Sequence, residues 1–224
     1  MRRIWCCPAI ILSLLIPAFA APKPHVISFG KWMVVKSYSG ADESTPLALK
    51  VRALYVDGRI KDYTIGASHD ITERQFAVRR AYRLNDDLPQ DTGSAIRWHW
   101  ELGGWLLVDR LAGHLSQISL PNFDATHSVA SWYRDYIGYC GVSEDGKTVY
   151  AVVAQVGRRK PILKKSVGEI KDDGEPIYEC SAPTWQRQPA RVSYQSQAGQ
   201  KLTFTVRGHA ADVVDTAEED EGTE

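Results

Sequence analysis

The side chains that could carry out chemistry are scattered along this 224-residue chain. No tight metal-ligand spacing such as HxH or HExxH occurs among the six histidines. These are His25, His69, His99, His114, His127 and His209. The GxSxG, Walker and GxGxxG motifs are also missing from the sequence. We therefore expect no metal and no cofactor, and the sequence favours a non-catalytic protein.

Residues 95–120 alternate between apolar and polar side chains and predict a three-stranded meander. We expect its turns at Gly103-Gly104 and Ala112-Gly113. We choose the register that places Trp100 opposite Leu107, because this register keeps apolar residues together. The face expected to be buried then carries Trp98, Trp100, Leu102, Trp105, Leu107, Ile118 and Leu120.

The opposite, wet face of this meander holds a candidate anion-binding site. Arg97, His99 and Glu101 share that face, and Arg110 lies opposite Arg97 in the same register. Two facing arginines repel each other unless water screens them or an anion lies between their guanidinium groups. Arg97, His99 and Arg110 are therefore the predicted anion-binding residues. The alternative is a solvated face on which Glu101 or Asp109 compensates the charge.

The cysteines predict one disulfide. Cys6 and Cys7 precede the apolar run of the export signal described next, which leaves Cys140 and Cys180. Two cysteines in an oxidising compartment favour pairing. The bond would close a loop of about 40 residues and contribute a few kcal/mol.

The first 20 residues have the order of a cleaved signal peptide. Positive charge at Met1-Arg2-Arg3 is followed by the apolar run 9–16, then Pro17 and the small-residue site Ala18-Phe19-Ala20. A membrane-spanning helix needs about 20 apolar residues, and this run is too short. We expect an exported protein, periplasmic or extracellular, without a stable membrane anchor after cleavage.

The distribution of charged residues supports two further predictions. Residues 21–211 carry 25 basic against 20 acidic side chains. This modest excess is no signature of nucleic-acid binding. Residues 212–224 contain seven acidic side chains and no basic one, which predicts an acidic, disordered tail.

Turn signals and alternating β-branched or aromatic residues fill the chain between the signal and the tail. The expected strands lie near 26–37, 48–56, 59–65, 75–84, 95–102, 105–111, 114–120, 132–142, 148–157, 190–195 and 201–207. Hairpin turns are expected at Asp57-Gly58, 143–147 and Ala198-Gly199, and a long loop at 166–189. The fold class predicted over 21–211 is all-β: a single antiparallel domain of consecutive hairpins, either a sandwich or an open barrel.

One hairpin carries a family resemblance. Trp132 to Ala154, with the turn Ser143-Glu144-Asp145-Gly146-Lys147 between two apolar strands, resembles the inner hairpin of a blade in TolB-like β-propellers. This resemblance covers about 23 residues and implies a small degenerate β-propeller as the alternative fold. Propeller repeats run about 40 residues, whereas Gly58, Gly113, Gly146 and Gly199 are unevenly spaced.

Two function classes follow. The first is an exported, non-catalytic β domain that binds a protein or a cell-envelope polymer, or serves as an accessory subunit. The second is a small secreted hydrolase whose site is assembled from separate loops. The lack of a compact catalytic motif favours the first. The tryptophans are interpreted as core residues, and the basic cluster 158–165 as a solvated edge strand.

Overall fold

A computed structural model of the chain describes residues 23–37, 47–85, 98–170, 181–195, 199 and 201–214. Over these residues the chain is all-β, with 15 strands and no helix. Their pairing is antiparallel apart from a single parallel bridge. This arrangement is consistent with a sandwich or open barrel and confirms the predicted fold class. The described part of the chain thus offers no helix that could span a bilayer.

The first sheet has seven strands, and six of them follow the order β1-β3-β2-β6-β5-β4. Its strands are β1 (Ile27–Phe29), β2 (Met33–Ser37), β3 (Leu47–Val56), β4 (Arg59–Asp70), β5 (Gln75–Asn85), β6 (Trp98–Asp109) and β7 (Leu115–Gln117). β7 pairs with β6, and a further pairing between β3 and β4 closes a circuit of strands.

The second and third sheets each contain four antiparallel strands. The second, in the order β11-β10-β9-β8, consists of β8 (Ala130–Tyr133), β9 (Tyr136–Val142), β10 (Thr148–Gln155) and β11 (Leu163–Glu169). The third, in chain order, consists of β12 (Thr184–Gln186), β13 (Arg191–Gln195), β14 (Lys201–Arg207) and β15 (Ala210–Val213). The seven-stranded sheet is no four-stranded blade, so the structure does not support the propeller alternative.

Two apolar cores lie between the sheets. One joins the first sheet to the second and includes Ala77 and Trp105 on one side and Ile137 and Tyr139 on the other. The second core joins the second sheet to the third. The middle sheet therefore packs on both faces, which explains why β10 is buried over four consecutive residues, 151–154.

Two predicted hairpins are confirmed. Asp57 and Gly58 have φ values of 52° and 75°, and β3 pairs with β4 across them. Positive φ at both central positions defines the tight turn that matches strand twist. The longer segment Ser143–Lys147 joins β9 to β10, with positive φ at Gly146.

The hairpin predicted at Gly103-Gly104 is wrong, because β6 runs straight through both glycines. Arg79 pairs with Trp105 and Ala81 with Leu102. Two glycines therefore oppose Arg80 alone, which is a β-bulge. A Cβ atom at Gly103 would lie 2.9 Å from Cε2 of Tyr82. Gly103 is therefore needed because the two strands approach each other closely, and not because the chain turns there.

The predicted apolar face of the meander is confirmed in part. Because the bulge adds one residue, Trp100, Leu102 and Trp105 still share a face. Trp100 and Trp105 are buried, whereas Trp98 is 44% exposed, contrary to expectation. The register with β7 is displaced by two residues, since Leu107 pairs with Ser116 rather than with Ile118.

Three predicted boundaries also need correction. The strand expected at 132–142 is two strands joined by a tight turn at Arg134-Asp135. The loop expected at 166–189 overlaps the end of β11 and contains β12. The tail expected from 212 begins inside β15; its residues 215–224, like residues 1–20, lie outside the described part.

Candidate functional site

Of the three predicted anion-binding residues, the structure describes His99 and Arg110 and does not bring these two together. Arg97 lies outside the described residues. His99 is near the start of β6 and Arg110 just beyond its end. At about 3.3 Å per residue the two are separated by roughly 35 Å. His99 instead contacts Glu101, with 3.0 Å between Nε2 and Oε1.

Arg110 contributes to a different structure, the end of the β4–β5 hairpin. Its Nη2 donates to Oδ1 of Asp70 at 2.6 Å, and its Nη1 donates to the carbonyl oxygen of Glu73 at 3.1 Å. Beside it, Arg74 donates to Asp109 at 2.8 Å. This guanidinium, together with backbone N–H groups of residues 111 and 112, holds the pKa of Asp109 well below its usual range.

Cys140 lies in the core between the second and third sheets, where it is 1% exposed. Cys180 lies outside the described residues, so the Cys140–Cys180 disulfide stays a prediction.

One cleft of the size of a ligand site lies where the three sheets come together. Its volume is about 670 Å³, within the range of ligand pockets of about 300–1,000 Å³. The end of β4, the β8–β9 turn and the segment around β12 supply its walls. Its lining residues are His69, Asp70, Ser131, Trp132, Tyr133, Arg134, Pro183, Trp185, Arg187 and Gln188. We call this the aromatic cleft.

Stacked rings form the walls of the aromatic cleft. The rings of His69 and Trp132 are stacked with centroids 5.1 Å apart and an interplanar angle of 19°. The rings of Tyr133 and Trp185 are stacked at 5.5 Å and 26°. Trp132, Tyr133 and Trp185 are each half-buried. They therefore keep part of their apolar surface available to a ligand.

The β8–β9 turn is fixed by its contacts with β4. Arg134 has a φ of 55°, which lets the chain reverse between Tyr133 and Tyr136. The carbonyl oxygen of Arg134 accepts a hydrogen bond of 2.7 Å from Nε2 of His69. This bond fixes the proton on Nε2 and orients the imidazole ring that stacks on Trp132.

Further hydrogen bonds join β8 to the β12 segment. The hydroxyl of Ser131 donates to the carbonyl oxygen of Pro183. The indole N–H of Trp185 donates to the carbonyl oxygen of Ser131 at 3.3 Å. The hydroxyl of Tyr133 donates to the carbonyl oxygen of Arg187 at 3.2 Å. The polar ends of these side chains thus hold the rings in position.

The described part of the cleft offers few side chains that are suited to catalysis or metal binding. Among the lining residues that the structure describes, Asp70 is the single carboxylate, and it pairs with Arg110. Within the described residues no group of three or more His, Cys, Asp or Glu side chains could hold a metal ion. The arrangement is suited to holding a ring-shaped, polar ligand by stacking and hydrogen bonding.

Comparison of the chain with protein-family models, curated proteins and solved structures finds no match.

Sequence reasoning missed this site because it assigned Trp132 to a continuous strand. The signal available was the run Trp132-Tyr133-Arg134-Asp135: two aromatics followed by two polar residues suit a turn as well as a strand. His69 and Asp70 lie at the end of β4. Trp185 is in the segment expected to be a loop. No local pattern links these three segments.

The basic cluster 158–165 fits its expected place on an edge. β11, which carries Lys164 and Lys165, is the outermost strand of the second sheet. Nζ of Lys164 lies 4.2 Å from the ring centroid of Tyr150 on the neighbouring strand. Exposed lysines on an edge strand hinder pairing with other chains, so this cluster needs no ligand to explain it.

Proposed function

We propose that this protein is an exported, non-catalytic β domain that binds a saccharide-containing cell-envelope polymer in the aromatic cleft. The observation that carries the proposal is the pair of stacked aromatic units, His69–Trp132 and Tyr133–Trp185, in the walls of one cleft. The C–H face of a sugar ring is apolar and flat, and it packs on indole and phenol rings. Export, inferred from residues 1–20, would bring the protein to such polymers.

Open walls favour a polymer over a small enclosed ligand. Asp70, Arg134, Arg187 and Gln188 line the cleft and are all exposed. A ligand can therefore extend past the rim on either side while one or two of its rings stack inside. The hydrogen bonds between β8 and the β12 segment keep the ring pairs in place before binding, which reduces the entropy lost on association.

The alternative, a small secreted hydrolase, gains less support from these contacts. Hydrolysis of a glycosidic bond ordinarily uses two carboxyl groups flanking the bond, and the described lining holds Asp70 alone. The hydroxyl of Ser131 donates to the carbonyl oxygen of Pro183 rather than to a base. These features favour binding over catalysis.

Co-sedimentation with insoluble envelope polysaccharide from the host's own cells tests the proposal. Wild-type protein should pellet with the polysaccharide in a saturable manner. Tyr133→Ala and Trp185→Ala each remove one ring of a stacked pair and should weaken binding about tenfold or more. Thermal melts of both variants show whether the fold is retained.

Trp98→Ala is the matched control, because Trp98 is 44% exposed and is not part of the cleft lining. It should bind like the wild type. Equal weakening by Trp98→Ala and Tyr133→Ala, or full binding by a folded Tyr133→Ala variant, would contradict the assignment of the cleft.

A further inference from the structure

We infer that the aromatic cleft selects an acidic saccharide, one whose carboxylate or phosphate groups are held by Arg134 and Arg187. This inference rests on the proposed function and adds the charge of the ligand to it. It comes from the balance of charge among the described lining residues and from the position of the two arginines beside the stacked rings.

The two arginines keep their charge uncompensated. Arg134 and Arg187 both line the cleft and are exposed. Neither forms an ion pair with any residue in the described part of the chain. Arg134 lies with its guanidinium carbon 5.3 Å from the ring centroid of Tyr133. That contact leaves its N–H donors available for an anion.

The acidic side chain of the cleft does not offset this charge. Asp70 is engaged by Arg110, whose Nη2 lies 2.6 Å from Oδ1. The Asp70–Arg110 pair is neutral as a unit, so the lining retains the charge of both Arg134 and Arg187. A neutral sugar would leave two cations without a partner, whereas an acidic sugar supplies one for them.

Positions within the cleft suit one ligand that uses rings and charges together. Arg134 follows Tyr133 directly in the β8–β9 turn, and Arg187 lies two residues after Trp185. The carbonyl oxygen of Arg187 accepts a hydrogen bond from the Tyr133 hydroxyl, so Arg187, like Arg134, lies beside the Tyr133–Trp185 pair. A sugar ring stacked there would bring its acidic substituent toward planar donors that match carboxylate and phosphate oxygens.

Isothermal titration calorimetry on protein purified from the full chain tests this inference. The probes are a galacturonic acid tetramer, the matched neutral galactose tetramer and a sugar-phosphate oligomer of similar length. Wild-type protein should bind at least one acidic oligomer about tenfold or more tightly than the neutral one. Raising the NaCl concentration from 50 to 500 mM should weaken binding of the acidic oligomer and leave the neutral one nearly unchanged. The two acidic probes distinguish a carboxylate from a phosphate as the recognised group.

Arg134→Gln and Arg187→Gln should each lose most of the preference for the acidic oligomer while keeping weak binding of the neutral one. Arg59→Gln is the matched control, since Arg59 is an exposed arginine at the opposite end of β4 from the cleft. Equal affinity of wild-type protein for acidic and neutral oligomers would overturn the charge inference and leave the proposed saccharide binding standing. Binding of none of the three oligomers would overturn both.

Discussion

At the scale of single residues, the buried hydroxyl of Tyr194 stabilises the contact between the second and third sheets. Tyr194 is 1% exposed, and its hydroxyl donates to the carbonyl oxygen of Val152 at 2.6 Å. Burial raises the pKa of Tyr194 well above its ordinary value and so favours the protonated hydroxyl, which is the donor in this bond.

We predict that Tyr194→Phe lowers the free energy of unfolding by about 1–2 kcal/mol, because the carbonyl oxygen of Val152 loses this partner. Urea unfolding followed by circular dichroism measures the change. Tyr150→Phe is the control: Tyr150 is half-buried and should change stability by less than about 0.5 kcal/mol. Equal effects of both variants would contradict the role given to the Tyr194 hydroxyl.

Asp109 makes stability depend on pH. Arg74 and two backbone N–H groups depress its pKa in the folded state, so folding favours the ionised carboxylate. The stabilisation is complete above the unfolded-state pKa of about 3.9 and is lost as the pH falls through the folded-state value.

We predict that the difference in unfolding free energy between wild type and Asp109→Asn is largest above about pH 4 and shrinks at lower pH. Urea unfolding at pH values from 2 to 7 measures it. Arg74→Gln should show the same trend, because it removes the guanidinium that contacts the carboxylate. A difference that stays constant over this pH range would disprove the linkage.

At the scale of elements, two glycine-containing pairs show what local sequence patterns can and cannot predict. The pair Asp57-Gly58 predicts its hairpin correctly, because positive φ at both positions is needed within the turn itself. Gly103-Gly104 carries a similar signal with a different cause. Its close neighbours, Tyr82 and Arg80, lie on another strand more than 20 residues away. Sequence inspection alone does not distinguish the two causes.

We predict that Gly103→Ala lowers the free energy of unfolding by about 1–3 kcal/mol, the usual cost of forcing extra atoms into a packed site. The added Cβ would lie 2.9 Å from the Tyr82 ring and 3.0 Å from the Arg80 carbonyl oxygen. Chemical denaturation measures the loss. Gly104→Ala is the matched control, since its Cβ would meet only Gln117 Nε2 at 3.8 Å. A larger loss from Gly104→Ala would favour the hairpin over the bulge.

At the scale of the whole molecule, the all-β class could be predicted and the site could not. Alternating residues and turn signals act within about ten residues, which is enough to place most strands. The aromatic cleft depends on three segments, around His69, Trp132 and Trp185, that come together only through the packing of the sheets. The predicted anion site depended on one assumed turn at Gly103-Gly104, and β6 continues through both glycines.

The predicted disulfide also belongs to the scale of the whole molecule, because it would connect the second sheet to the segment before the third sheet. We predict that Cys140 pairs with Cys180. Non-reducing peptide mapping by mass spectrometry should find these two cysteines in one linked peptide pair. Replacing both with serine should lower the free energy of unfolding by about 2–4 kcal/mol. A linkage of Cys140 to any other cysteine would contradict the pairing.

The assignment of the aromatic cleft as the ligand site is the central claim, and the tryptophan indole N–H signals test it most directly. Nuclear magnetic resonance spectra of ¹⁵N-labelled protein are recorded while soluble fragments of the host's envelope polysaccharide are added. Signals of Trp132 and Trp185, assigned by Trp→Phe substitution, should shift progressively and saturate. Three other tryptophans serve as internal references: Trp32, Trp98 and Trp100. Trp105 is not a reference, because its ring centroid lies 5.1 Å from that of Trp132. Shifts confined to the three references, or no shift at any concentration, would contradict the account.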